Sequence, residues 1–165
     1  MTKLKLLGFL ILIIIVGFSC NSGKKKVIEG DLYFDRIDLY RIFDWPDSSL
    51  TKLENYMIQV NIDTVKRGKD RDFVELVKYA ITNKLTRQPY VWILYKYKEF
   101  RLFLDQQDYD KLKNYKWFEL TDEHKKIHLK AVVNNVSFKE FKAFKCAKLL
   151  DFKKIDGETK YDRIW

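Results

Sequence analysis

The amino-acid sequence predicts an α+β domain: a small, partly open β-barrel of about five strands, a two-helix insertion after the first strand, and a short helix between strands three and four. Three observations predict it. Apolar residues recur with a period of two in five separate stretches and with a helical period in three others. The stretches follow one another as strand, helix, helix, strand, strand, helix, strand, strand. Glycine and proline are scarce, six and two in 165 residues, so long continuous elements are favoured over many tight turns.

Each element has its own signal. Ile28 to Leu39 alternates, but Leu32 and Phe34 share one parity and Ile37 and Leu39 the other, which predicts a bulge near Asp35–Arg36 in a long bent strand. Trp45-Pro46-Asp47-Ser48 is a helix start. Leu50, Leu53, Tyr56, Met57 and Val60 then fall on one helical face. After Lys66-Arg67-Gly68-Lys69, Asp70 or Asp72 is placed to cap a second helix carrying Phe73, Leu76, Val77, Ala80 and Ile81. The insertion spans about residues 47–84, and both stripes require an apolar surface to dock on. Beyond Pro89, Tyr90–Tyr97 and Phe100–Leu104 read as paired strands, and 105–115 as a short helix with Tyr109 and Leu112 inward. Ile127, Leu129, Ala131 and Val133 alternate with Lys126, His128, Lys130 and Val132, a half-buried strand. Phe141–Phe152 reads as the last strand.

With the insertion removed, this order resembles the OB fold, whose helix lies between strands three and four. The likeness covers residues 28–154 and rests on element order and patterning. The rival architecture is an open antiparallel sheet with helices packed on one face. In the OB reading, Val91, Ile93, Tyr95, Phe100, Leu102 and Leu104 point inward, and Tyr90, Trp92, Lys96, Lys98, Arg101 and Phe103 point outward. The resemblance implies a ligand face there, because OB-like proteins bind oligonucleotides or oligosaccharides on these two strands. Tyr90, Trp92, Lys96, Arg101 and Phe103 are the candidate binding residues. A competing reading has the inserted helices docking over Trp92 and Phe103, which would account for the aromatics without a ligand.

The amino terminus carries an address. Lys3 and Lys5 precede a run from Leu6 to Phe18 that is apolar but for Gly8 and Gly17. Thirteen residues make a helix of roughly 20 Å, short for a hydrocarbon core of about 30 Å. A basic head, an apolar centre and a small residue at the cut describe a signal peptide. Gly17-Phe18-Ser19-Cys20 resembles the lipobox of bacterial lipoprotein precursors. That resemblance implies cleavage before Cys20, lipid on its sulfur and an acylated new amino terminus. The alternative is an uncleaved signal anchor. The expected organisation is a signal peptide over 1–19, a lipidated tether over 20–27 and one domain over 28–165. Acyl chains would then hold the protein to the membrane, since each buried methylene contributes about 0.8 kcal/mol.

Loss of the first nineteen residues removes Lys3 and Lys5 and takes the formal charge from +9 to +7. Export argues against nucleic acid as a partner, and the charges are scattered. With Cys20 lipidated, Cys146 has no partner for a disulfide; Phe144 and Leu150 on its parity suggest an inert core thiol. His124 and His128 are four apart, but on a strand that spans about 13 Å, too far for one metal. Asp31, Asp35 and Asp38 read as a solvated strand face with Arg36 among them. No phosphate loop or nucleophile elbow occurs, so no catalytic residue, metal or cofactor is assigned. The expected role is a non-enzymatic lipoprotein domain of the cell envelope, on the far side of the inner membrane or on the outer membrane, with a protein or envelope-glycan partner. The alternatives are an envelope enzyme acting on glycan or lipid, and an anchored immunity or inhibitor protein.

Overall fold

The computed structural model describes residues 24–34 and 46–160. Cys20 and the expected bulge near Asp35–Arg36 lie outside them. Five strands form a closed barrel: β1 (Lys26–Tyr33), β2 (Tyr90–Tyr95), β3 (Lys98–Phe103), β4 (Lys125–Asn135) and β5 (Ala143–Asp156). The order around the barrel is β1-β2-β3-β5-β4, closing back on β1. All contacts are antiparallel except β3 with β5, which is parallel over Arg101–Phe103 and Ala143–Lys145. That short parallel ladder closes the gap a partly open barrel would leave. This topology, with helical segments between β3 and β4, is OB-like.

The barrel interior follows the alternation in the sequence. Ile127, Leu129, Ala131 and Val133 of β4 are fully buried and pack with Ile28, Ile93, Leu102 and Phe144. Gly30 sits where β1 crosses β2: a Cβ there would lie 2.8 Å from the Leu94 carbonyl oxygen, so the close approach requires glycine. The β4–β5 pairing slips at Lys130/Ala131 and at Val132/Val133, and these irregularities bend the two longest strands around the barrel.

Four α-helices occur among the described residues: α1 (Asp47–Gln59), α2 (Lys69–Thr82), α3 (Gln106–Leu112) and α4 (Trp117–Asp122). Asp105 caps α3 by accepting from the Asp108 N–H at 2.8 Å, and Leu112 and Leu120 join the interior cluster. The short helix α4 was not expected: of its residues only Leu120 is buried, so no apolar stripe announces it. At the start of α2 the cap position is Gly68, at φ 119, a conformation that favours glycine; Asp70 and Asp72 lie inside the first turn instead of capping it. There they still favour the helix, as negative charge near its positive end.

The inserted helices dock on the outside of the barrel, against Phe103. A second cluster joins Ala80 and Leu85, at the end of α2 and just beyond it, to Phe103, Val136 and Ala143. Tyr79 stacks on Phe138 at 4.7 Å. Lys139 reaches Asp72 and Glu75 of α2, each at 2.5 Å. Arg87, just before β2, ties down α1 through Asp47 at 2.7 Å and Glu54 at 3.1 Å. No helix among the described residues is long and apolar enough to cross a membrane.

Candidate functional site

The outward faces of β2 and β3 carry the candidate site, and strand register explains its geometry. Tyr90 lies opposite Phe103 and Trp92 opposite Arg101. Directly opposed side chains on one face of a sheet stand about 5 Å apart at Cβ. The Arg101 guanidinium accordingly lies over the Trp92 ring, 4.1 Å from its centroid. The parallel ladder brings the β4–β5 turn alongside: the Arg101 N–H donates to the Lys142 carbonyl at 3.0 Å. It also sets Phe141 4.9 Å from the same guanidinium. Tyr90 stands 5.9 Å from Arg101 and meets Trp92 edge-on at 6.2 Å. One cation is thus held among three aromatic rings. Its planar group, always charged, is suited to stacking in a way that a lysine ammonium is not.

Beside this cluster is a cleft of about 340 Å³ lined by Trp92, Tyr97, Lys98, Glu99, Arg101, Glu140 and Lys142. Lys98 and Lys142 are exposed at its edge. A larger groove of about 750 Å³ adjoins it, lined by Phe73, Leu76, Phe138 and Phe141 with Lys69, Asp72, Lys139 and Glu140 at its rim. The two share Glu140. Both volumes fall within the range of small-ligand sites. They occupy the region bounded by the β2–β3 face, the insertion after β1 and the β4–β5 turn, where OB-like barrels bind.

Of the five residues singled out from the sequence, the fold brings Tyr90, Trp92 and Arg101 together. Phe103 is corrected: it faces outward as its parity requires, but α2 and the β4–β5 turn bury it completely. It supports Tyr90 from beneath, at 5.4 Å between rings, and is closed to a ligand. Lys96 stands apart, in the β2–β3 turn, 5.5 Å from the Tyr95 ring. The residues that sequence reasoning missed are Phe141, Glu140 and Lys142, which come from the β4–β5 turn. Only the β3–β5 pairing carries them to this face, and no local pattern signals that pairing.

A second polar cluster lies elsewhere on the barrel. Asp31 of β1 accepts from Lys126 at 2.8 Å and pairs with His128 Nδ1 at 2.7 Å. Burial alone would raise the Asp31 carboxyl, but the hydrogen bonds from Lys126 and His128 outweigh it and hold the group below its ordinary value. Asp31 and His128 are therefore a structural pair on neighbouring strands rather than solvated surface groups. Asp35 and Asp38 lie outside the described residues. Burial pushes the Cys146 thiol up to about 11, which keeps it protonated and unreactive near neutral pH. Among the described residues no group of three or more His, Cys, Asp or Glu side chains could hold a metal ion.

The chain matches no protein-family model, no curated protein and no solved structure.

Proposed function

We propose that this chain is a lipid-anchored lipoprotein of the bacterial envelope whose barrel is a non-enzymatic binding module. One observation carries the binding half of the reading: the Arg101 guanidinium held among Trp92, Phe141 and Tyr90, beside a cleft edged by Lys98 and Lys142. Aromatic platforms with interleaved cations suit a partner that offers sugar rings or carboxylates next to an apolar edge. An envelope glycan or an acidic protein segment has that chemistry. The cleft's two carboxylates, Glu99 and Glu140, are both exposed. Acid–base chemistry on a glycan needs one carboxyl in a dry setting, so this arrangement favours binding over hydrolysis.

The anchor half of the reading rests on Cys20 and its lipobox-like neighbours. Its test is the intact mass of the protein extracted from envelopes, with Cys20→Ser beside it. Wild type is expected to lack residues 1–19 and carry lipid, and the variant to persist as unmodified precursor. An uncut wild-type chain with a bare Cys20 would overturn the anchor. The binding half is tested by capture from envelopes with wild type and with Lys142→Glu, a charge reversal at an exposed position. Wild type is expected to retain a discrete partner that the variant loses; equal retention by both would reject the β2–β3 face.

A further inference from the structure

The turn between β2 and β3 has an unusual composition for its shape. Lys96 and Tyr97 are its two central residues, and both lie at positive φ, 50 and 61. A two-residue hairpin turn with both φ positive is the type I′ geometry, which Asn-Gly adopts without strain. Lysine and tyrosine are each held there against the clash of Cβ with the backbone. Packing does not offset that strain, because Tyr97 is 97% exposed. A large aromatic ring therefore projects from the tip of the hairpin, with Lys96 before it and Lys98 after it in the chain.

This tip belongs to the end of the barrel where the described chain begins. β1 and β2 are antiparallel, so the start of β1 lies toward the end of β2. Lys26 Nζ accordingly stands 5.2 Å from the Tyr95 ring, the ring that Lys96 also approaches. Lys24, Lys25, Lys26, Lys96 and Lys98 are all exposed. The acids on the same segments are Glu99, next to Lys98, and Glu29, which Lys130 neutralises at 2.6 Å.

We propose that this end of the barrel is a membrane-contact surface, with Tyr97 at headgroup depth and the lysines on the phosphates of an anionic bilayer. The inference rests on the anchor reading and adds an orientation to it. From a lipidated Cys20 to Lys26 there are six Cα–Cα steps, a reach of roughly 20 Å at full extension. The start of β1 is confined to the bilayer surface by that reach. Tyrosine prefers the interface, where its ring is half apolar and its hydroxyl is wet. Each lysine near an anionic surface biases the contact about fivefold. Tyr97 and Lys98 also line the cleft, so contact sets one edge of the cleft at the headgroups. Arg101, three residues further along β3, stands up to about 10 Å above it.

The test uses the full chain purified in detergent and reconstituted into vesicles of phosphatidylcholine alone or rich in phosphatidylglycerol. A neutral amine-acylating reagent is read out lysine by lysine by mass spectrometry. Lys96 and Lys98 are expected to react about 25-fold more slowly in the anionic vesicles, the scale set by two such lysines acting together. Lys153 and Lys154, near the opposite end of β5, serve as controls and are expected to react alike in both. The double variant K96N/Y97G relieves the turn and is expected to melt no lower than wild type, yet to lose most of the protection at Lys98. Lipidated protein whose hairpin lysines react equally in the two vesicles would overturn the proposal, as would a double variant with full protection. The same mass spectra report Cys20. A bare Cys20 with protected hairpin lysines would remove the anchor while supporting the contact, so the two readings fail separately.

Discussion

Phe103 and Trp92 both project outward from the barrel, and truncating them should have very different consequences. Phe103 is completely buried between α2, the β4–β5 turn and Tyr90. A buried phenylalanine removes about 150–200 Å² from water, worth about 4–5 kcal/mol at ~25 cal/mol per Å². The retained methyl lowers the loss and the cavity raises it; Phe→Ala changes in cores span about 3–5 kcal/mol. Phe103→Ala is expected to fall in that range, a large share of the ~5–15 kcal/mol that holds a domain together. Trp92 is half-buried, with Arg101 stacked on its ring. Trp92→Ala forfeits a cation–aromatic stack of about 0.5–2 kcal/mol and opens no sealed cavity, so its expected loss is below about 2 kcal/mol. Urea unfolding of a soluble form beginning at Asn21, followed by circular dichroism, reads both at one slope. Equal losses at the two positions, or a larger loss at Trp92, would mean that the helices cover Trp92 and that the proposed face is closed.

Three further outcomes follow from the same geometry. Gly30→Ala forces a methyl to within 2.8 Å of the Leu94 carbonyl oxygen, and is expected to lower stability by about 1–3 kcal/mol in the same urea assay. Asp31→Asn removes the carboxylate charge from a pair of hydrogen bonds whose side chains are each about 30% exposed, so it is expected to cost only about 1 kcal/mol at neutral pH. Because the folded pKa of Asp31 is lowered, its contribution is present above the ordinary carboxylate value and is lost as pH falls through the folded one; the difference between wild type and variant should therefore shrink in acid melts below about pH 4. Cys146, with its thiol raised to about 11, is expected to react with a maleimide only after denaturation, as followed by mass.

The barrel interior was legible because it needs only local information. Alternation along Ile127–Val133 and Tyr90–Tyr95 assigns inward residues whichever strands become neighbours, and the helical stripes of Leu50–Met57 and Val77–Ala80 are equally local. The limits of the first strand were less so: β1 starts at Lys26, two residues before the expected Ile28, and the expected bend near Asp35–Arg36 lies outside the described residues. The bends that are described come from slips in the β4–β5 ladder. The candidate site was half legible. Trp92 and Arg101 are cross-strand neighbours across a short hairpin, so parity paired them. Phe141 and Lys142 reach them through a parallel contact between residues about forty apart, and Asp31 meets His128 across 97 positions. Such pairings leave no periodic trace in the chain. Phe103 shows the converse limit: parity gives a side chain's direction, but not what packs on top of it.

The central claim is that the β2–β3 face, completed by the β4–β5 turn, holds a partner in the envelope. The most direct measurement places a photoreactive amino acid at position 142 of the full-length protein and, separately, at position 153, and irradiates intact envelopes. The account expects a discrete cross-linked species from position 142, abolished by Trp92→Ala in the same chain, and none from position 153. No adduct at position 142, or the same adduct from both positions, would contradict it.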